Sequence, residues 1–435
     1  MKKTILLSAA VLILAACGCG KPQTLPIIHT GDVANAPAEL LSLSATPRDN
    51  WQIYQVNPKL YGSSGAFGKI QARLDDIQAL GTEFLYLMPV YAEGKKNAIG
   101  SPYCIQDFKA VNTSYGTLAE LKSLVDAAHA KGMKVMFDWV ANHTSWDNPW
   151  ITEHPDWYEH KADGSIAWPT KDGEWKDVAQ LDYKNKDLWA AMEDALSYWV
   201  TTLGIDGYRC DYAHGVRDDF WKEAIGKLKA QKPGFVMLAE SDFERMFDDG
   251  FDIIFDRAMK SHMRTLFNGG KASDFVSWYK GDQDKAPAPK TKLFFVTNHD
   301  DATEAAPASQ FKSKEGALAA YVLMAALNGS AMIYGSQEVG DDKTINFFNA
   351  MTMDWSANAV LTKAYRDAMQ AMAGVDRTGA AKIYALDALV VVAYPKSVVA
   401  VNAGAGSVSV NLSKVLAGLP EKEEIAGYGF KIWNK

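Results

Sequence analysis

Phe84-Leu85-Tyr86-Leu87-Met88 is apolar without a break and is stopped by Pro89. A strand with one wet face alternates, whereas a short run apolar at every position is covered on both faces, as in a parallel sheet. The flanks say what covers it. Phe67 to Leu80 has helical spacing (Ile70, Leu74, Ile77, Leu80) and ends at Gly81, and Leu118 to Ala130 is again helical and ends at Gly132. Lys134–Phe137 then repeats the strand character, and Trp51–Val56 supplies an earlier copy before Asn57-Pro58. Helices alternating with solid apolar strands build parallel strands under a helical cover. The pattern returns at Tyr208–Cys210, Val236–Ala239, Ile253–Phe255, Leu293–Thr297 and Met332–Tyr334. Helical stretches intervene at Trp189–Leu203, Phe220–Lys229 and Ala317–Leu327, with another at Leu361–Met372. The count is close to eight βα units, which is a (β/α)8 TIM barrel of class α/β spanning about residues 49–375.

Two stretches leave the pattern. Residues 143–183 are rich in Trp, Pro and Gly and read as a segment inserted after the third strand. After Gly379 the period becomes two (Leu389 to Tyr394, Val398 to Val401, then Val408, Val410, Leu412), predicting a small C-terminal antiparallel β domain over 380–435. At the other end, Lys2 and Lys3 precede an apolar run from Ile5 to Ala16 that is too short to span a bilayer. It closes in Leu14-Ala15-Ala16-Cys17, which resembles a bacterial lipoprotein cleavage box. The resemblance implies export, a signal peptide over 1–17 and a lipid on Cys17; a plain secretory signal is the alternative. Residues 18–48, rich in Pro, Ala, Ser and Thr, read as a tether to the membrane.

Composition narrows the chemistry. A net charge of −7 with scattered Lys and Arg gives no basis for a nucleic-acid partner. Gly62, Gly65 and Gly68 do not form a dinucleotide fingerprint, and there is no P-loop or His-Glu-x-x-His. Cys17 and Cys19 precede the body, which keeps only Cys104 and Cys210, read as buried thiols. Thirteen Trp and eighteen Tyr supply core aromatics or flat platforms for sugar rings.

In such a barrel the reactive groups stand at the C-terminal ends of the strands. Those ends hold Asp138 with Asn142-His143, Gly207-Tyr208-Arg209-Cys210-Asp211, Glu240, and Asn298-His299-Asp300. Side chains two apart on a strand share a face, so Arg209 lies beside Asp211, and a guanidinium there is expected to lower the carboxyl pKa. Any one of these carboxylates alone would read as a cap or a solvated charge. Several facing one mouth separate their proton affinities and suit acid–base work.

These segments resemble the α-amylase family, glycoside hydrolase family 13. Asp138-Trp139-Val140-Ala141-Asn142-His143 looks like its first signature, Gly207–Asp211 its second, Glu240 its third and Val296-Thr297-Asn298-His299-Asp300 its fourth. The similarity runs from about Trp51 to Trp355 and takes in Met332–Gly340 and Met353–Ser356. It implies a retaining glycoside hydrolase with Asp211 as nucleophile, Glu240 as general acid and base, and Asp300 as transition-state stabiliser. Arg209 would keep Asp211 ionised, His143 and His299 would bind sugar hydroxyls, and Tyr103 would stack on the same sugar, although Pro102 stands where the family usually has Gly. The implied substrates are α-1,4-glucans such as starch, glycogen or maltooligosaccharides. Neopullulanase, cyclomaltodextrinase and glucanotransferase activities are the alternatives within the family, and a non-catalytic surface glucan-binding protein is the alternative outside it. Many members hold calcium. Here Asn142 remains as a metal-ligand candidate, but the usual Asp of the inserted segment is Gln180, the Lys-His after the nucleophile is His214-Gly215, and the calcium loop after strand one reads Asn57 to Gly62. Calcium favours several carboxylate oxygens, so no required cofactor is expected.

Overall fold

The computed structural model describes residues 35–435 except 44, 47, 341 and 378. The expected signal segment, Cys17 and the tether up to residue 34 lie outside the described residues. Eight parallel strands close a barrel: β1 (Gln52–Val56), β2 (Phe84–Leu87), β3 (Lys134–Val140), β4 (Gly207–Asp211), β5 (Val236–Ala239), β6 (Ile253–Phe255), β7 (Thr291–Phe295) and β8 (Ser330–Tyr334). The order is sequential around the ring, β8 pairing back onto β1 (Met332 opposite Ile53).

The strands are apolar throughout because they face two cores. Ile53, Phe84, Tyr86, Met136, Leu238, Phe255, Leu293, Phe295 and Met332 fill the barrel. The alternating residues Tyr54, Leu85, Leu87, Phe137 and Tyr208 pack outward under the helices. Inward parity therefore persists to the strand ends. Two residues beyond Ile53, Phe84, Met136 and Leu238 lie Gln55, Tyr86, Asp138 and Glu240, so the positions that continue the core upward are those that meet the mouth.

Helix Lys314–Ala326 is buried from Gly316 to Ala326 on every side. One side meets the barrel. The other meets the C-terminal sheet, with Tyr394 donating to the Ala326 carbonyl at 3.0 Å. A helix covered all round has no polar face to keep. That sheet has five antiparallel strands in the order Ala38–Ser42, Lys382–Leu386, Leu389–Ala393, Ser397–Asn402, Phe430–Asn434.

The first of these strands corrects an expectation. Residues up to 48 read as tether, yet Ala38–Ser42 pairs with Lys382–Leu386 and buries Leu41 and Leu43. Its pairing partner lies at the far end of the chain, so no local periodicity announces it. A second difference concerns Phe67–Leu80, which is two short helices, Ala66–Gln71 and Leu74–Gln78, rather than one. The break falls at Arg73, whose guanidinium lies 3.7 Å from the Trp355 ring centroid and 3.3 Å from the buried Glu338 carboxylate. A third is the antiparallel pair Tyr91–Glu93 and Ile105–Val111, which the sequence reading left without structure.

Candidate active site

The mouth of the barrel holds a cleft of about 350 Å3 lined by Tyr103, His143, Trp175, Asp211, Tyr212, Glu240, His299, Asp300 and Phe347, among others. Every residue predicted to touch the sugar is on that list, and Arg209 lies directly beneath it, fully buried. The fold brings these residues together from four strand ends and three excursions.

Arg209 is the hub. Its Nη1 is 2.7 Å from Asp138 Oδ1 and 2.9 Å from Asp211 Oδ1, and its Nη2 is 3.0 Å from Glu240 Oε2. One buried guanidinium thus serves three carboxylates, which overturns a simple expectation. Burial, joined by repulsion from Glu240 and Asp138, pushes the Asp211 carboxyl well up from its ordinary value, and Arg209 only opposes that rise. The protons of this set belong to the group rather than to single residues. A second cation completes it. Arg257 Nη2 lies 2.8 Å from Glu240 Oε1, while its Nη1 holds Asp242 at 2.6 Å.

Tyr212 follows Asp211 with φ +43°, a left-handed conformation that costs energy in a residue with a Cβ. The turn directs its backbone N–H onto Glu240 Oε2 at 2.9 Å. Its ring lies where a Cβ on residue 215 would come within 2.2 Å, which explains Gly215.

On the opposite wall runs a chain of hydrogen bonds with a defined sense. Gln55 Nε2 donates to His299 Nδ1 at 2.8 Å, so His299 carries its proton on Nε2 and donates to Tyr103 Oη at 2.8 Å. Tyr103 in turn donates to Asp138 Oδ2 at 2.9 Å, beside a second phenol donor, Tyr86. The Tyr103 and His299 rings stack at 5.4 Å between centroids, with Phe347 edge-on at 4.8 Å from His299. Burial, with Arg209 adding to it, pulls His299 down to about 3, and burial pulls His143 down to about 4. Both rings are neutral donors at ordinary pH. Asp300 stands at the rim, its carboxyl 3.3 Å from His299 Nε2.

Sequence reading missed Gln55, Tyr86, Trp175, Phe347 and Arg257. Inward parity could have found the first two. Trp175 and Phe347 sit on long excursions, and Arg257 begins a helix, where an Arg reads as an ordinary surface charge. It also missed Lys59, a buried ammonium that ties three rim segments through Glu93 Oε2 (3.0 Å), the Gly100 carbonyl (2.7 Å) and the Phe348 carbonyl (3.4 Å). Cys104 and Cys210 are buried free thiols, as expected.

The residues around Asn142 do not suit a calcium ion. Gln180 Nε2, a donor, lies 3.2 Å from Asn142 Oδ1 and 2.9 Å from the Asn142 carbonyl. Asp182, the nearest carboxylate in sequence, is engaged by the Lys184 backbone N–H at 3.0 Å. Among the described residues no group of three or more His, Cys, Asp or Glu could hold a metal ion.

Residues 42–232 match the family described as "Alpha amylase, catalytic domain". Over that span the chain resembles an α-amylase catalytic domain. The chain is 28% identical over 305 residues to the alpha-amylase MalA of Haloarcula japonica, a match covering 66% of this chain and 44% of that protein. It is 32% identical over 215 residues to the alpha-1,4-glucan:maltose-1-phosphate maltosyltransferase of Rhodospirillum rubrum, covering 43% of this chain and 31% of that one. The chain spans less than half the length of these curated relatives. Among solved structures, an alpha-amylase from Lactobacillus plantarum superposes with a TM-score of 0.79 at 28% identity, covering 89% of this chain and 99% of that one. The cyclic alpha-maltosyl-(1-->6)-maltose hydrolase of Arthrobacter globiformis shares the fold, with a TM-score of 0.76 at 21% identity, covering 88% and 99% of the two chains.

Proposed function

We propose that this chain is an α-amylase-family enzyme that hydrolyses α-1,4-glucosidic bonds of starch, glycogen or maltooligosaccharides with retention of configuration. The observation that supports this most directly is the meeting of Asp211, Glu240 and Asp300 on one cleft beside a stacked Tyr103–His299 wall. In the first step the Asp211 carboxylate attacks the anomeric carbon while Glu240 protonates the departing glycosidic oxygen, leaving a glycosyl ester on Asp211. In the second, Glu240 takes a proton from water, whose oxygen attacks the same carbon and releases Asp211. Asp300, at the rim, stabilises the positive charge that develops on the sugar ring, the His143 N–H binds one of its hydroxyls, and His299, whose N–H is given to Tyr103, fixes the ring that stacks on the sugar. A wider groove that shares Ile99 and Asp177 with the cleft, and includes Trp146 and Trp168, is consistent with a substrate longer than two sugars.

Transfer to a sugar acceptor instead of water is the second reading, and the likeness to maltosyltransferases favours it. Product analysis on amylose, pullulan and cyclodextrin, with and without added maltose, separates the two. The chemistry is tested by Asp211→Asn, Glu240→Gln and Asp300→Asn. Each is expected to lower kcat by about 10⁴-fold or more, since members of such a unit fail together, with circular dichroism unchanged. A variant retaining near-normal turnover on a glucan would sink the assignment. No metal cofactor is required in this proposal, and export with a lipid on Cys17 is part of it.

A further inference from the structure

The strands that close the inserted segment, His143–Ser145 and Val178–Gln180, run antiparallel with Gln180 directly opposite His143. Gln180 is half-buried there and its amide is fully engaged. Three oxygens converge on its Nε2: the Asn142 carbonyl at 2.9 Å, the Leu181 carbonyl at 3.1 Å and Asn142 Oδ1 at 3.2 Å. Its Oε1 lies 3.4 Å from Asn142 Nδ2, so the two amides pair face to face. Asn142 Nδ2 also lies 3.2 Å from His143 Nδ1.

Three converging oxygens are what a small cation gathers, yet the atom at their centre is a neutral nitrogen with two protons. We propose that the Gln180 amide takes the place of a bound cation in this chain, and that through Asn142 it is a positioning residue for His143. A carboxylate at 180 would set acceptors against three oxygens and would need a cation between them, whereas an amide turns one of its two ends into a donor. The same pairing orients Asn142 so that Nδ2, not Oδ1, faces the imidazole. His143 Nδ1 is then an acceptor and the proton resides on Nε2. His143 lies on the cleft wall, so the second half of this inference, what the tautomer is for, rests on the glucan reading. The first half does not.

Two variants test it without recourse to activity. In wild-type protein, EDTA and then calcium in excess are expected to leave Tm within about 1 °C of its starting value, there being no ion to lose. In Gln180→Glu, which exchanges the donor for a second acceptor at constant size, Tm is expected to fall in EDTA and to recover specifically with calcium. In Gln180→Met, which removes both ends of the amide, ¹⁵N shifts of His143 are expected to move from an Nε2-protonated pattern toward a mixture of tautomers. A wild-type Tm that collapses in EDTA and returns with calcium overturns the substitution, as does a Gln180→Glu protein indifferent to calcium. An unchanged His143 tautomer in Gln180→Met overturns the positioning role. Because melting and ¹⁵N shifts are read without substrate, a failure here is distinct from a failure to cleave glucans.

Discussion

Arg257 shows most clearly how a single residue changes the reading of the site. It holds Glu240 Oε1 at 2.8 Å, so the proposed acid sits between two guanidiniums, Arg209 and Arg257. Both contacts fix the Glu240 carboxyl in place, one on each oxygen. Arg257→Gln frees one of them and is expected to lower kcat by about 10–100-fold with KM and Tm little changed, since a misplaced catalytic group loses its approach to the reacting bond. A kcat equal to that of wild type would show that Arg257 does not position Glu240. His143 and His299 contribute no limb near 6.5 to the pH–rate profile, since burial already holds them at about 4 and about 3.

At the level of elements, a buried ionic cluster joins three pieces of the barrel wall. Asp256 caps helix Arg257–Phe267 by accepting from the Met259 N–H at 2.8 Å, Asp282 stands near the end of helix Ala272–Gln283, and Lys292 lies on β7. Lys292 Nζ is 2.6 Å from Asp282 and 3.7 Å from Asp256. One ammonium does not neutralise two carboxylates, and burial, with Asp282 adding to it, raises Asp256 to about 7. Between its unfolded value of 3.8 and about 7 the native state therefore binds more protons than the unfolded state, and stability falls as pH rises across that window. Asp256→Asn keeps the cap and removes the excess charge. Its Tm is expected to come closest to wild type near pH 4 and to exceed it at pH 8 by on the order of 2–4 °C, equivalent to about 1 kcal/mol. Thermal melts at the two pH values check this; equal Tm at pH 8 would show that the pair is already neutralised there.

For the whole molecule, the N-terminal strand Ala38–Ser42 docks on the C-terminal sheet, so the segment leading toward Cys17 leaves from that sheet. Among the described residues no helix is long and apolar enough to cross a membrane. Attachment in our proposal rests on the lipid at Cys17. Cys17→Ala is expected to release the protein from the membrane fraction or to leave its signal uncleaved, checked by fractionation and by mass of the N-terminus. A wild-type N-terminus other than lipidated Cys17 would refute the anchor.

Much of this protein is legible in one dimension. Unbroken apolar strands such as Phe84–Met88 require cover on both faces, and their regular alternation with helices leaves a parallel barrel as the natural solution. Residues at strand ends must then meet at one mouth, which brings Asp138, Asp211, Glu240 and Asp300 together, and the resemblance to the α-amylase family singled out the last three. What the tertiary structure alone decided are quantities set by neighbours distant in sequence. Burial, joined by repulsion from Glu240 and Asp138, reversed the expected shift of Asp211 despite Arg209, because desolvation and charge balance belong to the folded cluster and not to the Arg209–Asp211 pair. The strand Ala38–Ser42 took shape only against Lys382–Leu386, since five residues with one distant partner leave no local period. Gln180 reads as a degraded ligand in sequence. Only when Asn142 and Leu181 surround it does its amide become the centre of the site.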